Sequence, residues 1–161
     1  MTDKTQGQDA ALTGAEIDGI VAFVQAAAAL KDTLRSGHTV ARRRESTAEH
    51  GWRLTLLAML AARRVPGVDA LRLMELCVVH DLGEALAGDV PATEQAGIAG
   101  RDARERAALD TLCAPLPADD AAHILALYDE YVAAETPEAR LARGLDKIET
   151  VLTHAIGANP D

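Results

Sequence analysis

Residues 71–91 read LRLMELCVVHDLGEALAGDVP, and the fold of the chain turns on how this stretch is placed. Leu73, Leu76, Cys77 and His80 recur at offsets of 0, 3, 4 and 7, one face of an α-helix, so the histidine continues an apolar, inward face. Asp81 follows it directly, and Glu84 and Asp89 come soon after. A solvated helix face accounts for scattered charges. It does not account for a histidine and an aspartate adjoining Val78 and Val79. A buried carboxylate needs a partner or a cation, because an unpaired charge in the interior is strongly unfavourable.

Helices extend outward on both sides. Ser46 and Glu49 form a capping box that opens a helix to about Arg64, with His50, Leu54, Leu57 and Ala61 on one face. Val65-Pro66-Gly67 ends it, and Asp69 caps the helix that carries His80. Thr13 and Glu16 form an earlier capping box, starting a helix expected to run to about Leu34. RSGHTVARRRE, residues 35–45, then reads as a basic loop. Downstream, Gly88 and Pro91 close the turn after Glu84, and Pro115 and Pro117 separate helices over about 101–114 and 119–134. Thr136-Pro137 launches a last helix to about Ile156, with Leu141, Leu145, Ile148 and Leu152 as its expected inward stripe. No segment alternates as a strand. The expectation is an all-α, single-domain bundle of about six helices, with a loose tail over 1–12 and the folded domain over 13–157.

Composition agrees and excludes some functions. The chain has 161 residues, 48% of them apolar, enough to bury a core. Aromatics make up only 2%, and abundant alanine favours helices packed through small side chains. A net charge of −9 argues against general affinity for nucleic acid or anionic membranes. The apolar run Ile20–Leu30 is interrupted by Gln25 and is too short to span a bilayer. The start, MTDKTQGQDA, lacks the apolar core of a signal peptide. Two cysteines, Cys77 and Cys113, make no disulfide framework, so a reducing cytoplasm is the simpler compartment. Trp52, two residues beyond His50, points away from it and is expected against a neighbouring helix or a partner subunit.

Taken singly, the polar residues are unremarkable: His50 and His80 read as core histidines, and Asp146, in RLARGLDKIETVL, as partner to Lys147 or Arg143. Together, His50, His80, Asp81 and Asp146 offer two imidazoles and two carboxylates from three helices. That set suits one first-row divalent ion, Mn, Co, Fe, Ni or Zn, better than Mg, which prefers oxygen ligands. His123 is the only histidine between Asp81 and Asp146.

AEH at 48–50, HD at 80–81 and LD at 145–146 resemble the H…HD…D signature of HD-domain metal-dependent phosphohydrolases. HDLGEALAGDVP is similar to the small stand-alone 5′-deoxynucleotidases within them, whose pattern is HD-x-x-E-x-x-x-G-D, and the likeness runs from about Leu30 to Leu152. The resemblance implies a helical HD fold with the ion held by His50, His80, Asp81 and Asp146. It implies that Glu84 positions or activates the attacking water, that Asp89 lies beside the substrate, and that the protein is a homodimer. The implied substrate is a nucleoside 5′-monophosphate. Arg35 matches an arginine that grips phosphate, but His38 stands where the relatives' R-x-G-W has tryptophan, which leaves selectivity for deoxyribose open. Arg42, Arg43 and Arg44 either attract the anionic substrate or form a solvated loop. A non-catalytic metal- and nucleotide-binding HD regulatory module is the alternative to a hydrolase.

Overall fold

The computed structural model describes residues 11–90 and 100–158. Most of the expected N-terminal tail and the loop 91–99 lie outside these residues. The described elements are α1 (Gly14–Ala27), a 3₁₀ turn (Ala28–Lys31), β1 (Leu34–His38), β2 (Arg44–Ser46), α2 (Thr47–Ala62), α3 (Ala70–Val79), α4 (Glu84–Ala87), α5 (Arg101–Cys113), α6 (Ala118–Ala133) and α7 (Pro137–Ile156). Among the described residues six helices are ten residues or longer, so the expected helical bundle stands. No described helix is long and apolar enough to cross a membrane.

The helix starts follow local chemistry. Both capping boxes form: Thr13 with Glu16, and Ser46 with Glu49. Asp69 Oδ1 accepts from the backbone N–H of Leu71 and Arg72 at 2.9 and 3.1 Å, and Thr136 caps α7 ahead of Pro137. Helix α3 lies at the centre, packed on α2, α6 and α7. Leu54, Leu73, Leu76, Leu109 and Leu127 are fully buried, with Ala58, Cys77, Ala139 and Ala142 filling the close approaches between helices.

Three expectations are corrected. First, the helix from Thr13 ends at Ala27, and residues 34–46 form an antiparallel hairpin rather than a helix end and a loop. Long-range bonds hold it there. The Arg44 guanidinium donates to the carbonyls of Leu34 and Arg35, each at 2.7 Å, and Thr47 N–H donates to Thr33 O at 2.9 Å. The arginine run therefore braces the hairpin: Arg44 is spent on β1, and Arg43 on Glu49 at 2.8 Å. Second, the buried stripe of α7 is Ala139, Ala142, Leu145, Glu149 and Thr153, while Ile148 is 50% exposed and Leu152 44%. Hydropathy picks the wrong stripe because this helix turns polar groups inward to meet polar groups of α2. Third, Trp52 is 68% exposed, so among the described residues no neighbouring helix covers it, and of the two expected coverings only a partner subunit is left.

Helix α3 stops at Val79, and a turn over 80–83 leads into α4. Gly83 makes this route possible, because a Cβ there would lie 2.6 Å from the Glu105 carbonyl oxygen of α5. Gly83→Ala is expected to displace α5 and to lower unfolding free energy by roughly 1–3 kcal/mol in a denaturant titration, the usual effect of overpacking. At the start of α2, hydrogen bonds from Arg43 and from the Ser46 backbone hold Glu49 down at about 2, against its ordinary 4.5. Its contribution to stability is present above pH 4.5 and fades as pH falls towards 2. The difference in Tm between wild type and Glu49→Gln is therefore expected to shrink on acidification over that range.

Candidate active site

His50 projects from α2 with no exposed surface, and His80 caps the C-terminus of α3. The proton on each ring is placed by its neighbour. His80 Nδ1 lies 2.9 Å from the Cys77 carbonyl oxygen, and His50 Nδ1 lies 2.5 Å from Glu149 Oε2. A carbonyl and a carboxylate only accept, so each ring donates Nδ1–H and, in its neutral form, keeps its lone pair on Nε2. Those two Nε2 atoms face each other at 3.3 Å. Asp81 Oδ2 is 3.0 Å from His80 Nε2 and 3.7 Å from His50 Nε2. Asp146 Oδ1 is 3.2 and 4.0 Å from the Nε2 atoms of His50 and His80. The four residues nominated from the sequence are thus brought together.

Four acceptors with no donor among them call for positive charge. Ligand atoms about 2.1 Å from a shared ion lie roughly 3 Å apart, close to these separations. His50, His80 and Asp146 place one ligand atom each within 4.8 Å of the others. The local field favours a cation: burial alone lowers the pKa of His50, yet hydrogen bonds with Asp146 and Glu149 lift it to about 9. Burial pushes Asp81 up, but His80, Arg35 and His50 outweigh it and hold Asp81 well below the ordinary carboxylate range. Asp146 is likewise held down, mainly by His50 and His80 against burial.

A second acidic group, Glu45, His50 and Glu149, lies on the other side of the same imidazole. It competes for His50, whose Nδ1 proton already serves Glu149. The cation on that side is Arg53, whose Nε donates to Glu149 Oε1 at 2.6 Å. The donor set for an ion is therefore the Nε2 side.

That side opens into a cleft of about 740 Å³. Arg35 lines it, its Nη1 donating to Asp81 Oδ2 at 3.1 Å and its Nη2 to Thr150 Oγ1 at 3.3 Å. Glu84 and Asp89 line it as well. Glu84 is 4% exposed and accepts from Thr47 Oγ1 at 3.0 Å. Burial, with Asp81 and Asp89 adding negative charge, pushes it up to about 9. Asp89 is raised by burial and by Asp81, with Arg35 opposing. Glu84 comes close to His80 through the turn and α4, since α3 does not continue through Gly83.

His38 does not line the cleft, although Ser36 and Gly37 of the same strand do. It sits at the end of α7, where its carbonyl would be 1.9 Å from a Cβ on residue 157. Arg42, Arg43 and Arg44 do not line the cleft; Arg43 and Arg44 brace the hairpin, and the charge of Arg44 still acts on Asp89. His123 pairs with Glu75 at 3.3 Å, away from the cluster, and His154 lines the cleft without joining the acceptor set. Residues not singled out in the sequence complete the site. Tyr131 donates to Asp146 Oδ2 at 3.0 Å, its ring 5.1 Å from that of His80. Thr47, Thr150, Arg53 and Glu149 complete the surroundings. Glu149, three residues beyond Asp146 on a helix, was the one with a legible signal.

Comparison with known proteins gives the family of the chain. The family model described as HD domain matches residues 27–159. The chain belongs to the HD-domain family. A 5′-deoxynucleotidase of Schizosaccharomyces pombe is 32% identical over 139 residues, 82% of this chain and 69% of the relative. A 5′-deoxynucleotidase of Danio rerio is 28% identical, covering 84% of this chain and 68% of its own length. A crystal structure from Magnetospirillum magnetotacticum, described as a predicted metal-dependent phosphohydrolase, superposes with a TM-score of 0.79 at 34% identity. That match spans 86% of this chain and 70% of the other. The enzyme class expected from the sequence, an HD-domain hydrolase, stands.

The acceptor set predicts that the protein takes up one divalent ion per chain in a titration with Mn²⁺ or Zn²⁺. Loss of a ligand in His80→Ala or Asp146→Asn is expected to remove measurable binding, while Trp52→Ala, outside the site, leaves the stoichiometry unchanged.

Proposed function

We propose that this HD-domain protein is a metal-dependent 5′-nucleotidase that hydrolyses (deoxy)nucleoside 5′-monophosphates to nucleoside and phosphate. The observation that carries the reading is the convergence of two imidazole Nε2 lone pairs and two aspartate oxygens at the floor of a cleft that also holds Arg35, Glu84 and Asp89. The names of the relatives supply the substrate class.

In this reading His50, His80, Asp81 and Asp146 hold one ion. Their mixed nitrogen and oxygen donors favour Mn, Co, Fe, Ni or Zn over Mg. A divalent ion held there supplies Lewis acidity, withdrawing charge from a phosphoryl oxygen and acidifying water. Arg35 presents a guanidinium, 16% exposed, whose fork fits two phosphoryl oxygens. Glu84 orients the attacking water and accepts its proton. Glu84 lines the cleft with one oxygen held by Thr47, and its upward-shifted pKa makes it, once ionised, a stronger base than an exposed glutamate. Asp89, next along the wall, contacts the nucleoside. His38 lies off the cleft, so it gives no contact that would exclude a ribose 2′-hydroxyl.

The assembly we propose is a homodimer, supported by an uncovered apolar face on α2 formed by Trp52, Leu56, Met59 and Leu60. A cytoplasmic setting is supported by two free, buried cysteines, Cys77 and Cys113.

Phosphate release from ribo- and deoxyribonucleoside 5′-monophosphates, after chelation and re-addition of Mn²⁺, Co²⁺, Zn²⁺ or Mg²⁺, tests the reading. Release restored by a transition metal is expected, with Glu84→Ala lowering kcat by about 10²- to 10⁴-fold while metal binding persists. Tight metal binding without release from any nucleotide would instead identify a non-catalytic binding module.

A further inference from the structure

The cluster behind His50 does more than fill the core. Glu149 is 1% exposed and Asp146 is on the same helix, one turn earlier, with its side chain 25% exposed. The two carboxylates compete for the single proton of a neutral His50. Asp146 Oδ1 stands 3.2 Å from Nε2, and Glu149 Oε2 stands 2.5 Å from Nδ1. If Asp146 took the proton, Nε2 would be a donor and His50 could not ligate an ion. If Glu149 takes it, Nε2 is left as a ligand atom.

The surroundings favour Glu149. Its contact is the shorter one, and Arg53 braces it twice, through Nε to Oε1 at 2.6 Å and through Nη2 to the Glu149 backbone carbonyl at 3.2 Å. Arg53 also donates to Thr153, whose hydroxyl sits between Glu149 and the buried Glu45, 3.3 Å from an oxygen of each. Two buried acids this close do not both ionise readily. Of the two, Glu149 is the one that receives the Arg53 guanidinium on Oε1 and faces His50 Nδ1 with Oε2. Glu149 is therefore the acceptor that the geometry sets against Nδ1.

We propose that Glu149, braced by Arg53, is a positioning residue that holds His50 in the Nδ1–H tautomer and so keeps its Nε2 available as a ligand. The inference rests on the metal site proposed above. It concerns a pair of residues, Glu149 and Arg53, that approach no substrate and act only through the imidazole.

The geometry gives a test with a direction. In Glu149→Gln the amide oxygen faces the Arg53 donor, which turns the amide NH₂ towards His50 Nδ1. The ring then has to accept at Nδ1 and carry its proton on Nε2. The expected result is a Zn²⁺ affinity, measured by competition with a chromophoric chelator, weakened by about 10- to 100-fold. Ring ¹⁵N spectra of chelator-treated protein, followed through a pH titration to the plateau where the ring is neutral, are expected to show Nδ1–H in wild type and Nε2–H in the variant. Removing the brace as well, in Arg53→Met with Glu149→Gln, frees the amide to turn its oxygen to Nδ1 and is expected to recover part of the affinity. A role in stability alone would not give that rescue. Unchanged Zn²⁺ affinity in Glu149→Gln overturns the inference, and so does an Nε2–H ring in wild type, which decides the matter even if the variants do not fold. Wild-type protein that fails to bind Zn²⁺ at all, while keeping the Nδ1–H tautomer, overturns the metal-site reading and leaves the tautomer assignment intact.

Discussion

Two imidazole lone pairs 3.3 Å apart, with aspartate oxygens at 3.0 and 3.2 Å, form an arrangement of acceptors that only positive charge stabilises. Most of the polar architecture follows from that constraint. The rings come from α2 and from the end of α3, and one aspartate from the turn after it and the other from α7. The cluster therefore ties three helices to one point and fixes their register. Each ring is anchored by its far nitrogen, one on a backbone carbonyl and one on a carboxylate, so neither can rotate to relieve the repulsion by donating its own proton.

Charge is handled differently on the two sides of His50. On the inner side the protein supplies its own cation, Arg53, and the acids are closed off from solvent. On the cleft side Arg35 only partly balances the acids, with one donor on Asp81 and one on Thr150. Burial, with the negative charge on that side, pushes Glu84 and Asp89 upward, while burial of His50 is outweighed by its hydrogen bonds with Asp146 and Glu149. A site built this way favours a divalent cation and, with one bound, an anion beside it. That is the electrostatic requirement of the phosphomonoester hydrolysis proposed for this chain. Membership of the HD-domain family is consistent with it, since relatives sharing most of the chain's length are named as 5′-deoxynucleotidases.

Small residues make the geometry reachable. Gly83 lets the segment after His80 pass against the α5 backbone, which turns the chain and returns Glu84 to the cleft through α4 rather than along a continuous helix. Ala58, Ala139 and Ala142 allow the helices around α3 to pack closely. A bulkier core would hold the helices farther apart and spread the four ligand atoms with them.

The sequence by itself determined the helical bundle and its capped helix starts, which are written in local spacing, and nominated the four residues that meet at the cluster through their combination and order. Capping boxes act within four residues, and an inward histidine shows itself by recurring with leucines on one helix face. The order H…HD…D carried the family. Only the tertiary structure decided the rest. The hairpin over 34–46 forms because Arg44 reaches back to the carbonyls of Leu34 and Arg35. Those donors cannot be assigned before the strands meet. The buried stripe of α7 runs through Glu149 and Thr153 rather than Ile148 and Leu152, because Arg53 and His50 of α2 are waiting there. His38 falls outside the cleft that its neighbours Ser36 and Gly37 line. In each case the placement depends on a partner outside the local pattern, and hydropathy read along one segment carries no information about that partner.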